Sequence, residues 1–407
     1  MLQHNLFEFF SEESSSGVAL KNKTRKRHII NYMDQNEEST ITDLAQALNI
    51  STPKVTSVIN ELIEEGLLKD CGKINSMLGR PASIYGLVAE SCFFLGVDVK
   101  EYYVNIGLLD FKKNMVTANM RIPYLLDNTS QSLDELISLI RNFIQQAPVN
   151  QNNIISLCIN LGGRINSDSG TSHSYFHFNE ESLSSIVERQ LSIRTFLEND
   201  SRAMAYGEFH KGIVKNEKNV LFLNLDYGLG LGILIDGKMY YGKSGFSGEI
   251  GHVPFFDNEI ICHCGKKGCL ETEASGRALI RLFKEKIKEG QTSSIITNPE
   301  KLENIRLTDI IEGARNEDMT SIDLLAEIGE KIGRSIALLI NIFNSEMVIL
   351  GGTLMNTGDY IYFPIRSAIN KYSLTLVNSD TKLLISQLGE KAGIIGGCLI
   401  ARNKLLS

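Results

Sequence analysis

The sequence predicts a small winged helix-turn-helix module at the N-terminus, followed by a larger α/β region that carries a zinc-binding loop. Three observations predict this. Helical apolar spacing over residues 21–90 gives two short helices, a tight turn and a basic hairpin. From Phe93 on, apolar strands that end in glycines alternate with helical periods, as in open α/β sheets. Within that region, one histidine and three cysteines gather near one loop, the ligand set of a closed tetrahedral zinc site.

Composition narrows the class. A chain of 407 residues is long enough for about two or three domains. Apolar residues make up 43% and charged residues 22%, as in an ordinary globular protein. No run of about 18 apolar residues appears, so no helix is expected to span a membrane. Residues 1–10 carry Glu8 and no basic cluster ahead of an apolar core, so they are not a secretory signal. Seven cysteines, three of them in one loop, point to reduced thiols and a cytoplasmic protein. The net charge of −7 gives no sign of nucleic acid. Lys21, Lys23, Arg25, Lys26 and Arg27, next to His28, nevertheless form a basic run. Such a run is either a solvated face or a phosphate-facing segment.

Residues 1–20 lack a clear period and contain Ser14-Ser15-Ser16-Gly17, so they read as an N-terminal arm or a short helix plus linker. Residues 21–90 form the predicted winged helix. Ile29, Ile30 and Met33, then Leu44 and Leu48, mark helical apolar faces. Thr40 caps a helix that runs to about Leu48. Ser51 caps the next helix, with Pro53 near its start and Val55, Val58, Ile59, Leu62 and Ile63 on its apolar face, ending at Gly66. Leu67-Leu68-Lys69 and Ile84-Tyr85-Gly86-Leu87 read as paired strands around a polar loop from Asp70 to Ser83. The second helix offers Ser51, Thr52, Lys54, Ser57 and Asn60, short polar groups and a lysine suited to base edges and phosphates. In the wing, Lys73 is basic, and Gly79-Arg80-Pro81 places Arg80 in an extended segment of the kind that enters a minor groove. The bland alternative is a helical module that only contacts protein.

Residues 91–407 read as α/β. Strands are expected at Phe93–Val99, Tyr103–Asp110, Ile154–Leu161, 220–225, 232–235 and 347–350, and helices at 133–145, 183–191 and 332–343. Gly162-Gly163, Gly351-Gly352 and the run Gly393-Ile394-Ile395-Gly396-Gly397 follow the pattern of ligand clefts. In the loop, His252 lies ten positions before Cys262, and Cys264 and Cys269 follow. Gly265 and Gly268 let the backbone turn tightly enough to aim three thiolates at one ion. Glu249 and Glu271 flank the cluster. Phe196 to Ala203 adds Asn199 and Asp200 where a strand meets a helix. An isolated Asp there is usually a cap. With Glu249, His252 and Glu271 it forms the set a polyhydroxy ligand wants, because carboxylates accept from neighbouring hydroxyls and an amide both donates and accepts.

These residues resemble the ROK family (repressors, open reading frames and sugar kinases), and within it the xylose- and N-acetylglucosamine-type repressors. The specific part is Gly248-Glu249-Ile250-Gly251-His252 through Cys262, Cys264, Cys269 and Glu271; Asn199-Asp200 and Ala274-Ser275-Gly276 match as well. The resemblance implies an actin-like, hexokinase-type fold of two α/β lobes with a sugar in the cleft. It implies a structural Zn2+ on His252, Cys262, Cys264 and Cys269. It also implies a sugar site of Asn199, Asp200, Glu249, His252 and Glu271, with His252 in both roles.

Two places depart from the family pattern. Active kinases carry an Asp-x-Gly-Gly-Thr loop after the first strand, where this chain has Asp98-Val99-Lys100-Glu101-Tyr102. The second phosphate loop usually begins Gly-Thr-Gly, and here it reads Asp226-Tyr227-Gly228. Carboxylates and a bulky ring keep backbone amides from cradling phosphate. The expected function is therefore a regulator that binds double-stranded operator DNA as a homodimer or dimer of dimers, most simply a repressor of sugar uptake or catabolism genes, released by a sugar or sugar-derivative effector. It is not an enzyme in this reading. One alternative is an ATP-dependent ROK sugar kinase with an added DNA-binding domain, in which Asp200 would be the base. Another is a module that docks on a transport or enzyme protein.

Overall fold

The structure, a computed structural model of the full chain, describes residues 17–74, 81–178 and 180–406. It divides into two compact units. One runs from the start of the described chain to Gly163 and adds Ser169–Glu198 and the chain from Gly397; the other comprises Arg164–Asp168 and Asn199–Gly396.

The first unit opens with the winged helix: α1 (Gly17–Asn36), β1 (Glu38–Thr40), α2 (Ile41–Leu48), α3 (Thr52–Glu64), β2 (Leu68–Ile74) and β3 (Ala82–Leu87). Thr40 caps α2 as expected: its hydroxyl accepts from the Asp43 N–H, and the Asp43 carboxylate accepts from the Thr40 N–H. Asn49, in the left-handed region at φ 52°, ends the helix. Ser51 occupies the N-cap of α3, but its side chain makes no capping hydrogen bond. Ile29, Ile30, Met33, Leu44, Val55, Val58, Ile59 and Leu62 are all buried, so the apolar periods in the sequence are the core of this module.

Two expectations are corrected, and one strand is new. The helix α1 begins at Gly17, where an arm or a short separate helix with a linker is expected, and runs on unbroken because no breaker interrupts 18–36. The wing strand β2 extends through Lys73, which pairs with Ser83, so the expected loop is shorter; a bulge at Asp70/Gly72 hides the alternation. A third strand, β1, pairs antiparallel with β3, and at three residues it is too short to announce itself. The basic run also divides. Lys21 and His28 are exposed, while Lys26 is buried and bridges to Glu61 on α3 (3.0 Å) and to Glu65 at its C-cap. Lys26 thus holds α1 against α3 and does not face solvent.

After this module comes a sheet of β4 (Phe93–Val99), β5 (Tyr103–Asp110), β6 (Met115–Pro123), β7 (Ile154–Leu161) and β8 (Arg194–Asn199), in the order β8-β7-β4-β5-β6. Helices α4 (Ser130–Gln146) and α5 (Leu183–Leu191) intervene in the chain. The second unit starts with α6 (Asp200–Lys211) and holds β9 (Val220–Leu225), β10 (Leu229–Ile235), β11 (Lys238–Met239), α7 (Gly276–Lys288), α8 (Leu307–Arg315), α9 (Met319–Phe343), β12 (Met347–Gly351), α10 (Asp359–Tyr372) and β13 (Lys382–Ile385). Its sheet order is β11-β10-β9-β12-β13. Helix α11 (Ala392–Leu406) closes the chain.

The two sheets repeat one plan. In each, the first three strands form an antiparallel meander, and the fourth strand lies parallel to the first on its other side. The fifth strand flanks the fourth. This duplication is the actin-like, hexokinase-type fold expected from the sequence. The central strands β4, β7, β9 and β12 are buried along their whole length, which is why they read as unbroken apolar runs.

Candidate functional site

The metal loop folds as its glycines predict. Gly265 and Gly268 both have positive φ, 85° and 71°, and a Cβ at Gly268 would meet the Phe256 carbonyl oxygen at 2.3 Å. Cys262 N–H donates to Lys266 O and Gly265 N–H to Cys262 O, closing the knuckle. Gly248 and Gly251 lie so close to Leu231 O and Leu229 O that a Cβ would sit 2.1 and 2.7 Å away. The segment carrying Glu249 and His252 therefore lies flat against β10.

The potential ligand atoms of His252, Cys262, Cys264 and Cys269 all fall within 4.8 Å of one another. Cys264 Sγ is 3.6 Å from Cys269 Sγ, and Cys262 Sγ is 3.6 Å from His252 Nδ1. Zinc–sulfur bonds of about 2.3 Å make tetrahedral edges of about 3.8 Å, so the spacing fits zinc with little rearrangement. These four residues would hold the ion, and bound zinc would pin the loop ahead of Glu271.

The carboxylates stand beside this cluster. His252 offers Nδ1 to the thiols, and its Nε2 lies 3.9 Å from Glu249 Oε2. Glu271 Oε1 is 3.0 Å from His263 Nδ1 and accepts from Cys262 Sγ at 2.9 Å. Metal binding would deprotonate Cys262 and take up His252 Nδ1, leaving Glu271 to His263. Burial alone would push the Glu271 carboxyl up, but the hydrogen bonds from His263 and Cys262 outweigh it and hold it below its ordinary value. Burial pushes the Glu249 carboxyl up, against the pull of His252, Arg202 and Arg164.

Asn199 and Asp200 sit where β8 feeds α6. Asn199 Oδ1 is the N-cap acceptor for the Ser201 and Arg202 N–H groups at 3.0 and 3.2 Å. Asp200 Oδ1 accepts from Ser201 N–H at 2.8 Å, and its Oδ2 accepts from Asn224 Nδ2 at 3.0 Å. All five expected sugar residues belong to the second unit. Sequence reasoning passes over Asn224 and His263. An amide inside the otherwise apolar strand β9 is a usable signal for Asn224; nothing marks His263 apart from its neighbours.

On α3, Ser51, Thr52, Lys54, Ser57 and Asn60 are all exposed, opposite a buried apolar face, and Lys73 is exposed on β2. Arg80, at the wing tip, lies outside the described residues. Where kinases of the family are expected to carry their first phosphate loop, Lys100 Nζ stands 3.3 Å from the buried Asp98 carboxylate. The carbonyl oxygens of Asp226 and Tyr227 accept from the Gly276 and Arg277 N–H groups at the start of α7.

Duplicated sheets, a Cys₃His loop beside a carboxylate set and a winged helix ahead of them define a regulator-type relative of the sugar kinases. The chain belongs to the ROK family, whose model matches residues 94–404, and a winged helix-turn-helix DNA-binding model matches residues 23–69. It is 29% identical over 371 residues to the xylose repressor of Caldicellulosiruptor bescii, covering 90% of this chain and 92% of that one. Among solved structures it is similar to a ROK family transcriptional regulator described as a homologue of the E. coli MLC protein (26% identity, TM-score 0.78, 95% of this chain and 97% of that one). It is also similar to a ROK glucokinase from Streptomyces griseus in complex with glucose and AMPPNP (25% identity, TM-score 0.66, 76% of this chain and 99% of that one). No helix among the described residues is long and apolar enough to cross a membrane.

Proposed function

We propose that the chain is a cytoplasmic, DNA-binding repressor of sugar uptake or catabolism genes. A sugar or sugar derivative bound by Asn199, Asp200, Glu249, His252 and Glu271 releases it. The observation that carries this reading is α3: every polar residue expected there to read DNA is exposed, and the opposite face is packed. One such helix reads few bases, so a homodimer on a pseudo-palindrome is the working unit. Binding to the duplex upstream of its own gene should fall steeply with salt. If Lys54 meets a phosphate, Lys54→Ala should lower the log–log salt slope by about one. Arg80→Ala should weaken binding most at A·T-rich wing sites. Salt-independent binding, or none, would sink the reading.

The second reading, a sugar kinase, draws on Asp200, whose carboxylate is held by Asn224 and Ser201 as a base would be. The departures at both expected phosphate loops weigh against it. Lys100 pairs with Asp98, and carbonyls already occupy the first N–H groups of α7. With ATP and D-xylose, D-glucose or N-acetyl-D-glucosamine, turnover should stay at background. Sustained sugar-dependent ADP release that disappears in Asp200→Asn would favour the kinase.

A further inference from the structure

Helix α11 is shared by both units: Ala392–Gly396 belong to the second, and the chain from Gly397 to the first. Its start is locked to α6 through backbone. A Cβ at Gly396 would lie 1.7 Å from Ala203 O, and one at Gly207 would lie 2.6 Å from Ala392 O. An approach this close leaves no slack for one helix to slide on the other. Helix α6 begins at Asp200, directly after its cap Asn199.

The other end of α11 carries Arg402, whose side chain is only 5% exposed. Its Nη2 donates to Asp34 Oδ1 at 2.8 Å, its Nη1 to Asp34 Oδ2 at 3.4 Å, and its Nε to Phe111 O at 3.2 Å. Lys113 Nζ donates to the same Asp34 Oδ2 at 2.8 Å. Asp34 is on α1, and α1 is tied to the reading helix by Lys26 with Glu61 and Glu65, and by Asn22 with Glu61. A two-pronged, largely buried guanidinium–carboxylate pair fixes orientation as well as distance.

We propose that α11 carries the state of the effector site to the winged helix, and that the Arg402–Asp34 clamp is its output. Arg402 is then a positioning residue that acts on DNA through Asp34. The inference rests on the reading of an effector bound at Asn199 to Glu271. A connected path is not itself coupling, so coupling is what must be measured.

Full-length protein is titrated onto the duplex upstream of its own gene, with and without D-xylose or N-acetyl-D-glucosamine. In the wild type, one of these sugars should weaken operator binding roughly 10-fold. Arg402→Met and the milder Asp34→Asn should keep sugar affinity and sugar-free operator affinity within about threefold, yet cut the sugar effect below about twofold. The double variant should be no worse than either single one, since both break one interaction. A full sugar effect in Asp34→Asn overturns the clamp's role. If neither sugar binds the wild type or moves its operator affinity, the effector reading fails first and the inference falls with it.

Discussion

Cys269→Ser should lose the metal and disable the effector site while leaving sugar-free DNA binding intact. Wild-type protein should contain about one equivalent of zinc per chain, a four-ligand structural site. Structural zinc contributes about 10–16 kcal/mol of apparent binding energy in small peptides at neutral pH, so losing one of four ligands reaches far into the local fold. Cys269 is fully buried, forms a β-bridge with Pro254, and is followed by Leu270, whose N–H donates to Val253 O. Two residues on stands Glu271. Without the ion, three thiols and His252 within 4.8 Å of one another lose their common partner, and the loop should loosen around them. Metal analysis should fall to background, amide exchange over residues 252–272 should rise, and sugar affinity should drop by about 10- to 100-fold. Complete metal loss with unchanged sugar affinity would strip the zinc of this role.

Much of this site is legible in the sequence because its residues are rare and their spacing is constrained. Three cysteines and a histidine have few packing reasons to gather, and Gly265 and Gly268 announce the turns that aim them. The winged helix is legible for another reason: Thr40 and Asp43 form a capping box, and Val55, Val58, Ile59 and Leu62 keep a helical period. The sequence misleads where a residue type serves several ends. Gly393 to Gly397 look like ligand-cleft glycines, yet Gly396 is there to let α6 touch α11. Gly230 and Gly232 likewise admit α6 onto β10; a Cβ would meet Ser201 Oγ at 2.0 Å or Ala205 Cβ at 2.4 Å. Lys26 reads with its basic neighbours, because charge alone does not tell which face of a helix it lies on. Strand β6 leaves no signal: along its length no residue is buried, so it carries no apolar run. The repeated sheet order is invisible too, since it lives in pairing and not in residue identity.

Glu249→Ala should produce a repressor that cannot be released. Glu249 stands at the start of the short turn Ile250–His252, half-buried, with its carboxylate 3.9 Å from His252 Nε2. A partly buried carboxylate that burial already disfavours gains from donors, and sugar hydroxyls are donors. Removing it takes a neighbour from His252 Nε2 but keeps all four zinc ligands and leaves the winged helix as it is, so operator binding without sugar should match wild type. In wild type, a saturating sugar can shift DNA affinity only by its difference in affinity for the DNA-competent and released arrangements. A 10-fold weakening corresponds to a coupling of roughly 1.4 kcal/mol, inside the usual allosteric range. By reciprocity, operator DNA should then weaken sugar binding by the same factor, a second reading of one coupling from the other side. The deciding comparison is operator affinity with and without sugar, in wild type and in Glu249→Ala. A 10-fold loss in the first and none in the second places the switch at this carboxylate. Equal affinity in wild type at saturating sugar would remove the sugar from the mechanism and move control of the winged helix to a protein partner.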